Sequence, residues 1–388
     1  MNNILAIGKS CCGCMACAQV CPKNCIKFVP DKEGFLYPQV DSSLCIDCGL
    51  CSKRCPVMSE PQRNKNPKVY AAKINDTNLS YKSSSGGIFP LIAKNILSKG
   101  GSVFGCAYDE NMVARHIEIT DESQLYRLQN SKYVQSDMEG VYTKVKAALD
   151  SGKYVLFSGT GCQIGGLHTF LNKKYDRLFT VDIVCHGVPS PALFEKYIDW
   201  KGKQMGGKLT EYSFRSKEKC GWNIYYKATN DKRSKSQDGI FDPYYNAFLK
   251  CRIFRESCYE CKYANSERAS DITLGDFWGI EISNPEFYDL NGVSVVLVNT
   301  DAGKKMWEDL SDSIKCIPST LETAAKMNEN LVRATPRPDC RDTIYDGFDV
   351  DTENYFSVKL KPPFQLKKRI KMLVPISVKG KIKHMLGK

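Results

Sequence analysis

The sequence predicts a small α+β domain over residues 1–60, followed by an α/β body with a partly parallel sheet. Two observations predict this division. Ten of the nineteen cysteines lie before residue 56, so the N-terminal unit has an unusual composition. Beyond Val69, apolar segments of strand length alternate with segments of helical periodicity, which is typical of α/β folds. The polar, proline-containing stretch at 59–68 favours a linker, which we place at 61–68.

The elements of the body follow from this alternation. Strands are predicted at 69–74, 102–108, 154–159, 178–184, 272–279 and 293–300. Helices are predicted at 88–101, 141–153 and 193–205, and the first of them ends at a glycine pair. We divide this region into an N-terminal part at 69–150, a C-terminal part at 151–345 and a basic tail at 346–388.

Composition and charge exclude several classes of function. No stretch approaches the roughly 20 apolar residues of a membrane span, and we expect no secretion signal and a cytoplasmic location. In a reducing compartment, crowded cysteines indicate metal ligation rather than disulfides. The net charge is +12, but residues 359–388 hold ten Lys or Arg and no acidic residue. Because the rest is nearly neutral, the total charge does not predict nucleic-acid binding.

Two cysteine quartets share one spacing, C-x-x-C-x-x-C-x-x-x-C, and each is followed by proline. They are Cys11, Cys14, Cys17 and Cys21 before Pro22, and Cys45, Cys48, Cys51 and Cys55 before Pro56. This is the run of bacterial two-cluster ferredoxins, in which the fourth cysteine ligates the other 4Fe–4S cluster. We therefore predict a ferredoxin-like domain. One cluster is assigned to Cys11, Cys14, Cys17 and Cys55, and the other to Cys45, Cys48, Cys51 and Cys21.

The residues between these cysteines suit the assignment. Two-residue spacers let a tight loop direct three thiolates at one cluster, and Gly13 and Gly49 permit the backbone angles that this needs. Proline after each fourth cysteine removes a competing N–H donor. A pair of zinc sites is the weaker alternative, because four-ligand zinc uses two C-x-x-C pairs. Cys12 and Cys25 are left over, and we expect them to pack rather than bind metal.

In the body, the loop SSSGG at 83–87 opens the helix predicted from Ile88. Backbone amides at a helix N-terminus favour a phosphate group, and glycines let that group come close. A plain helix cap is also compatible with this loop, so both interpretations stay open at this point.

The order of motifs along the body resembles a known family. The motifs are SSSGG, SKYVQS (131–136), FSGTGCQIGGL (157–167), DIVCHGVPSP (182–191), CYECKYA (258–264) and SDITLGDFWG (270–279). This order is similar to that of the beta subunits of coenzyme F-420 hydrogenases and dehydrogenases. The likeness runs from about residue 69 to 345 and includes the segment MNENLVRATPRPDCR.

The resemblance implies an FAD-binding α/β body with a further 4Fe–4S cluster near the flavin. The implied cofactor-binding residues are Ser85, Gly86 and Gly87 of the phosphate loop, Lys132, Tyr133 and Gln135 of the flavin segment, and Gly275 and Asp276 of a motif that faces the cofactor. Relatives include F-420-linked subunits, plant hydroxymethyl-chlorophyll reductase and bacterial proteins without F-420. The resemblance therefore indicates cofactors more firmly than substrate, and use of F-420 stays open.

Four cysteines of the body are candidate ligands of that third cluster: Cys162, Cys185, Cys258 and Cys261. The first two follow predicted strand ends, which gather at one edge of a parallel sheet, and the other two form C-x-x-C. Alternatively, Cys162 and Cys185 are small buried apolar side chains. Cys220 and Cys251 are reserve ligands. Cys106, Cys316 and Cys340 are expected to be structural.

Two residues are candidates for catalysis beside the flavin. His186 lies in the turn Cys185-His186-Gly187, and an ordinary histidine pKa of about 6.5 suits proton delivery, although a hydrogen-bonding turn residue fits equally. Lys132 can place positive charge beside a reduced flavin, or it can be an ordinary solvated lysine.

The basic tail interleaves Lys and Arg with apolar residues, and Pro362, Pro363 and Pro375 divide it. Segments of this kind lie on anionic lipid, so peripheral membrane contact is one interpretation. A solvated tail, or one that binds an acidic partner, is the alternative.

Together these features predict an iron–sulfur flavoprotein oxidoreductase. We expect a ferredoxin-type donor or redox partner protein, and a small organic substrate such as a sugar or biosynthetic intermediate. The main alternative is a non-catalytic electron-transfer subunit of a larger hydrogenase or dehydrogenase, linked to F-420 or to ferredoxin. An iron–sulfur sensor without flavin is a third candidate.

Overall fold

A computed structural model describes residues 4–364. Its strands are β1 Ile26–Pro30, β2 Leu36–Val40, β3 Lys68–Ile74, β4 Ser102–Tyr108, β5 Ala114–Ile119, β6 Val155–Thr160, β7 Leu178–Ile183, β8 Glu211–Ser213, β9 Tyr225–Thr229, β10 Ser234–Asp238, β11 Ile272–Asp276, β12 Ser294–Val298 and β13 Ile314–Ser319. They form the hairpin β1-β2, a small sheet β10-β9-β8 and a large sheet in the order β13-β3-β12-β11-β7-β6-β4-β5.

The α-helices of the described residues are mostly short and lie between these strands. They are α1 Ala16–Gln19, α2 Leu50–Lys53, α3 Thr77–Tyr81, α4 Ile88–Ser98, α5 Val141–Asp150, α6 Gly161–Leu171, α7 Pro191–Gln204, α8 Pro243–Leu249, α9 Glu256–Tyr259, α10 Ile280–Ser283, α11 Asp301–Asp309, α12 Leu321–Ala325 and α13 Thr352–Asn354. The start of α6 is fixed by a capping box, in which Thr160 and Gln163 satisfy each other's backbone amides.

Four neighbouring strands of the large sheet, β4, β6, β7 and β11, run parallel. Their cores are apolar and buried; Val155, Leu156 and Phe157 of β6 have no exposed surface. Since the carboxyl ends of parallel strands meet at one edge of a sheet, the segments after β6, β7 and β11 come together there. The predicted mixed α/β architecture with a partly parallel sheet is confirmed.

The predicted strands and helices of the body are all present, with ends that differ by a few residues. The sequence analysis missed β5, β13 and the small sheet. The strand β10 reads SKSQD and consists of polar residues only, so it carries no apolar alternation that could reveal it.

In the N-terminal domain, the short helices α1 and α2 each follow a residue in the left-handed region. Met15 has φ +60° and Gly49 has φ +68°, and Gly13 adopts φ +71°. The two glycines therefore adopt the unusual backbone angles expected of them. The hairpin turn is closed by Asp31, whose side chain accepts a hydrogen bond from the Phe35 amide at 3.0 Å.

The N-terminal domain is joined to the body by a buried ion pair. Arg341 Nη1 and Nη2 donate to the Glu33 carboxylate at 2.9 and 2.6 Å, and the Arg341 side chain is fully buried. At a second contact, Gly166 of the body lies close to Cys14 of the N-terminal domain. A Cβ atom added at Gly166 would lie 3.1 Å from Cys14 Sγ. The Arg341–Glu33 ion pair holds the hairpin against the body, and the contact at Gly166 lets the cysteine loop pack closely on it.

The predicted linker and the predicted basic tail lie at the two ends of the body. In the predicted linker, the Asn64 amide donates to the Arg268 carbonyl at 2.8 Å, so this segment is bound to the body. The predicted basic tail lies outside the described residues from position 365 onward. Within residues 4–364, each helix is too short or too polar to cross a bilayer.

Candidate functional site: a cavity between two groups of cysteines

A cavity of about 1060 Å³ opens at the carboxyl edge of the parallel strands. Its walls come from the segments after β6, β7 and β11, from the loop before α4, and from the loop around Cys12 in the N-terminal domain. Ligands of α/β proteins bind at this edge. The volume is at the upper end of the range for small-molecule pockets, which leaves room for more than one group.

The four candidate cysteines of the body line one end of this cavity. Cys162 lies in the first turn of α6, Cys185 lies two residues after β7, and Cys258 and Cys261 lie in and after α9. Burial, followed by the thiols of Cys162 and Cys261, raises the pKa of Cys185 to about 12. Burial, followed by Cys162, raises the pKa of Cys261 to about 11. The structure thus brings these four thiols close to one another.

Arg268 lies in the same wall with unused hydrogen-bonding capacity. Its side chain is 3% exposed. Nη1 donates to the Tyr263 carbonyl at 3.1 Å and lies 3.4 Å from Asp182, whereas Nε and Nη2 have no partner among residues 4–364. Unpartnered buried donors are costly, so they indicate a missing acceptor. An anionic iron–sulfur cluster held by the four thiolates fits this requirement.

Cys12 extends from the N-terminal domain toward these thiols. It lines the cavity, and its side chain is within hydrogen-bonding reach of both Cys14 and Cys162. The hydrogen bond with Cys12, followed by burial, raises the pKa of Cys162 well above its usual range. The residue that the sequence assigned to packing therefore lies between the two groups of cysteines.

The N-terminal cysteines of the first predicted cluster are mutual neighbours. Burial, followed by Cys11 and then Cys55, raises the pKa of Cys17 well above its usual range. The backbone amide of Gly13 donates to Cys11 Sγ at 3.4 Å. Amide hydrogen bonds to cysteine sulfur are among the features that set the potential of a cluster.

The second predicted group lies nearer the surface. Cys21 Sγ lies 3.4 Å from Cys25 Sγ, and Cys45 also contributes to the raised pKa of Cys25, after burial and Cys21. Cys48 is exposed. Among residues 4–364, no three His, Cys, Asp or Glu side chains are arranged to hold a single metal ion. The thiolates around a four-iron cluster stand farther apart than the ligands of one ion.

The remaining body cysteines lie apart from the group of four. Cys251 is placed to hydrogen-bond with Thr335, and Cys220 with Tyr225. Cys106 lines the cavity near Lys132, and burial raises its pKa. Cys106 is therefore a buried thiol of the same cavity that does not belong to the group.

The loop at 83–87 forms another part of the wall. Its serines and Gly87 line the cavity, and Gly87 begins α4 with φ +85°. Gly86 faces the sheet instead, because its amide donates to Ser294 Oγ at 3.0 Å and a Cβ there would lie 2.4 Å from the Ala72 carbonyl. Gly86 thus permits close packing on β3 and β12, while Ser85 and Gly87 border the cavity.

Lys132 and Tyr133 also face the cavity. Lys132 Nζ donates to the carbonyls of Arg127 and Gln129 at 2.9 and 2.6 Å, which leaves one ammonium proton for a ligand. Burial lowers the pKa of Lys132 to about 8. The Tyr133 ring stacks on Phe248 at 4.2 Å. Lys132 is therefore not the solvated surface lysine that the sequence left as an alternative.

Gln135 lines the cavity, but its amide is engaged by the N-terminal domain. Its Nε2 donates to the Cys12 carbonyl at 3.0 Å, and its Oε1 accepts from Arg255 Nη1 at 3.0 Å. Arg255 in turn donates through Nε to the Cys11 carbonyl at 2.6 Å. Arg255 was not predicted from the sequence, because its contact with Cys11 spans 244 positions.

Asp276, at the end of β11, is fully paired. It accepts hydrogen bonds from Arg215 at 2.5 and 3.1 Å and from Trp222 Nε1 at 2.6 Å. Trp222 stacks on Trp278, a cavity residue, with ring centroids 4.7 Å apart. Gly275 gives close packing, since a Cβ there would lie 2.8 Å from a side chain of the segment after β7. Asp276 thus holds Arg215 and Trp222 in place at one wall of the cavity.

Two histidines border the cavity. Burial lowers the pKa of His186, so the ordinary value expected from the sequence does not hold, and its carbonyl accepts from Thr335 at 2.9 Å. His116, which the sequence analysis missed, donates through Nε2 to the Ser158 carbonyl at 3.0 Å and accepts at Nδ1 from Ser136 at 2.9 Å. Burial lowers the pKa of His116 to about 4, so it is neutral near pH 7.

Two family models match this chain. Residues 152–322 match the model for the C terminus of the coenzyme F420 hydrogenase/dehydrogenase beta subunit, and residues 10–59 match a 4Fe–4S dicluster domain. The motifs at 157–167, 182–191, 258–264 and 270–279 lie inside the first match, whereas the loop at 83–87 precedes it. No curated protein matches the chain.

One solved structure with a similar chain is the F420-reducing NiFe hydrogenase complex from Methanosarcina barkeri. The two chains are 14% identical with a TM-score of 0.48, and the match covers 70% of this chain and 87% of that one. The two family models together span more than half of the 388 residues and confirm the resemblance seen in the motifs. This chain is an electron-transfer iron–sulfur protein related to the beta subunit of coenzyme F420 hydrogenases and dehydrogenases.

Proposed function

We propose that the protein passes electrons from two N-terminal 4Fe–4S clusters, through a third cluster, to FAD bound in the cavity. The observation that carries this proposal is the lining of that cavity. Four neighbouring thiols and an arginine with unpartnered donors lie at one end, and a glycine-started helix and a half-buried lysine border the rest. Each cluster supplies a one-electron site, and a flavin links one-electron to two-electron chemistry.

In this proposal, residues 1–60 are the ferredoxin domain, 61–68 the linker and 69–345 the flavin-binding body, in two parts that meet at 150. The N-terminal ligands are the two sets of four cysteines assigned from the motif spacing. Cys162, Cys185, Cys258 and Cys261 hold the third cluster, and Arg268 donates to it. Two observations support this third cluster: the four thiols lie close to one another, and two donors of Arg268 have no partner among the described residues.

Residues around the loop at 83–87 would hold the flavin. Ser85 and Gly87 border the cavity just before α4, so their backbone amides would contact a phosphate there, where the helix dipole favours it. Lys132 directs its remaining proton into the cavity and places positive charge beside the ring system. Gly86, Gly275 and Asp276 would contribute indirectly, by holding the surrounding wall of the cavity in place. His186 is the candidate proton donor, because it borders the same space.

The third cluster is tested by the double variant Cys258→Ser, Cys261→Ser, purified without oxygen. We expect about twelve irons per wild-type chain and about eight in the variant, because each cluster holds four. Cys106→Ser is the matched control, since Cys106 is a buried thiol of the same cavity outside the group. Equal iron in the variant and the wild type would reject the third cluster and leave the N-terminal ones.

The flavin site is tested by Lys132→Met with quantitation of bound FAD. We expect stoichiometric FAD in the wild type and a loss of affinity of about tenfold in the variant, since one charge-assisted contact contributes about 1.5 kcal/mol or more. Lys144→Met, at an exposed position of α5, is the control. Anaerobic wild-type protein that contains iron but no flavin would refute this part of the proposal.

A second candidate function is favoured by the surface near the outer cysteines. Leu44 and Ile46 are 53% and 58% exposed and flank Cys45 and the exposed Cys48. Exposed apolar side chains beside a redox site fit a docking partner. In this case the chain is a non-catalytic relay in a larger complex, linked to ferredoxin or F-420. Flavin reduction that requires a co-purified partner would support it.

An enzyme acting alone would instead take electrons from a ferredoxin-type donor and turn over a small organic substrate. Turnover of such a substrate by the isolated chain would decide for the enzyme. We propose a cytoplasmic location for either form. Membrane contact through residues 359–388 would be dismissed if anaerobic protein lacking that segment still co-sedimented with anionic liposomes.

A further inference from the structure

Arg255 is a wholly buried arginine between the N-terminal domain and the body. Its backbone amide donates to the Val188 carbonyl at 2.9 Å, and its side chain has no exposed surface. The guanidinium donates to the Cys11 carbonyl at 2.6 Å, to the Leu36 carbonyl at 2.9 Å and to Gln135 at 3.0 Å. All of these acceptors are neutral.

The charge of Arg255 has no carboxylate partner among residues 4–364. Three other buried arginines do have one: Arg215 pairs with Asp276, Arg268 with Asp182, and Arg341 with Glu33. Arg255 instead lies over aromatic rings, with its guanidinium carbon 4.0 Å from the Tyr37 centroid and 5.5 Å from that of Phe35. Cation–π contacts and neutral acceptors do not cancel a buried charge.

An isolated buried charge is strongly unfavourable, so the fold must supply an anion. The Arg255 guanidinium donates to the Cys11 carbonyl, and Cys11 and Cys17 lie in one buried cluster of the N-terminal domain. When four thiolates hold a 4Fe–4S cluster, the cluster is a net anion, and it becomes more negative on reduction. That group matches the unpaired cation in sign, and one of its predicted ligands, Cys11, is the residue whose carbonyl Arg255 holds.

We infer that Arg255 is a positioning residue and counter-charge for the first N-terminal cluster, and that it raises the reduction potential of that cluster. This inference rests on the proposed function, because the cluster ligands are part of it. Arg255 also joins the two cysteine groups, since its carbonyl accepts from the Cys258 amide at 2.9 Å. One residue therefore connects the loop of Cys11 to the loop that carries Cys258.

The experiment compares Arg255→Lys with Arg255→Gln in full-length, anaerobically purified protein. Lysine keeps the positive charge but loses the planar, forked arrangement of guanidinium donors. Glutamine keeps N–H donors but loses the charge. The readout is the midpoint of the EPR signal that persists in the Cys258→Ser, Cys261→Ser background. We expect Arg255→Gln to shift the ratio of oxidised to reduced cluster at least tenfold, which is a fall of 59 mV in its reduction potential. The potential of Arg255→Lys should stay near that of the wild type.

The control is the pair Glu33→Gln, Arg341→Met, which loosens the same domain contact but removes no unpaired charge. An unchanged potential in Arg255→Gln, or equal shifts in the lysine, glutamine and control variants, would overturn the inference. Loss of N-terminal iron in the glutamine variant alone would support it, and loss in both Arg255 variants would overturn it. Wild-type protein without N-terminal iron would instead reject the proposed function, and the inference with it.

Discussion

The buried, neutral His116 predicts that acid destabilises this fold in a defined pH window. Its ring bridges the Ser158 carbonyl and the Ser136 hydroxyl, and that hydroxyl also accepts from Gln163 Nε2 at 2.9 Å. Gln163 caps the start of α6, the helix that carries Cys162. Protonation of His116 would place a second donor at Nδ1, where the present network needs an acceptor. The perturbation we propose is therefore a pH series with His116→Gln as the comparison.

The magnitude follows from the pKa of about 4 in the folded state and an ordinary histidine value of about 6.5 in the unfolded state. Between these values the unfolded chain binds more protons, so the free energy of unfolding falls as the pH drops below about 6.5. The titration of His116 should lower the free energy of unfolding by about 2 kcal/mol between pH 8 and pH 5. The decrease should reach about 3 kcal/mol once the pH is below both pKa values.

The assay is anaerobic urea unfolding of the wild type and His116→Gln at pH 5, 6, 7 and 8. Glutamine does not titrate, and effects of pH on the clusters are shared by both proteins. The difference between the two pH profiles therefore isolates His116. We expect the wild type to lose about 2 kcal/mol more than the variant between pH 8 and pH 5. Parallel profiles would refute the claim that a buried neutral histidine supports this helix.

Two further predictions concern the contact between the N-terminal domain and the body. Gly166→Val places a side chain against Cys14, so we expect an overpacking cost of about 1–3 kcal/mol in urea unfolding and slower electron passage in stopped-flow reduction of the flavin. Glu33→Gln leaves the buried Arg341 with only the longer contact to Glu256 at 3.5 Å and should cost about 3 kcal/mol, whereas the double variant with Arg341→Met should recover most of that loss. Normal thermal stability of Glu33→Gln would contradict the second prediction.

The sequence was sufficient for the N-terminal domain and for the parallel core, because both are specified by local patterns. Cysteine spacing reflects the loops that hold a cluster, and a short apolar run such as YVLFSG, bounded by glycines, is typical of a buried strand. The four body cysteines were placed at one edge for the same reason, since Cys162 and Cys185 follow strands of a parallel sheet. Strand ends that converge are predictable without knowing any side-chain contact.

The residues that the sequence did not reveal act across long chain separations. Arg255 meets Cys11, which lies 244 positions earlier, and Gln135 meets Cys12 across 123 positions. No local pattern distinguishes such an arginine from a surface one. Gly86 shows the converse, because a motif glycine that suggests phosphate binding is used for packing against Ala72. Motif position predicted which loops meet, but not which side chain each loop presents.

Positively charged side chains recur along the path from the N-terminal loop to the cavity. Arg255 holds the Cys11 loop, Arg268 lies beside the body thiols, and Lys132 borders the space near the loop at 83–87. Every electron that enters a low-dielectric interior adds negative charge, which is costly unless a fixed positive charge is already there. Under the proposed function, a cation stands at the first cluster, the third cluster and the flavin in turn. Reduction at each point then adds an electron beside a fixed positive charge, which favours electrons within the protein over electrons at its surface.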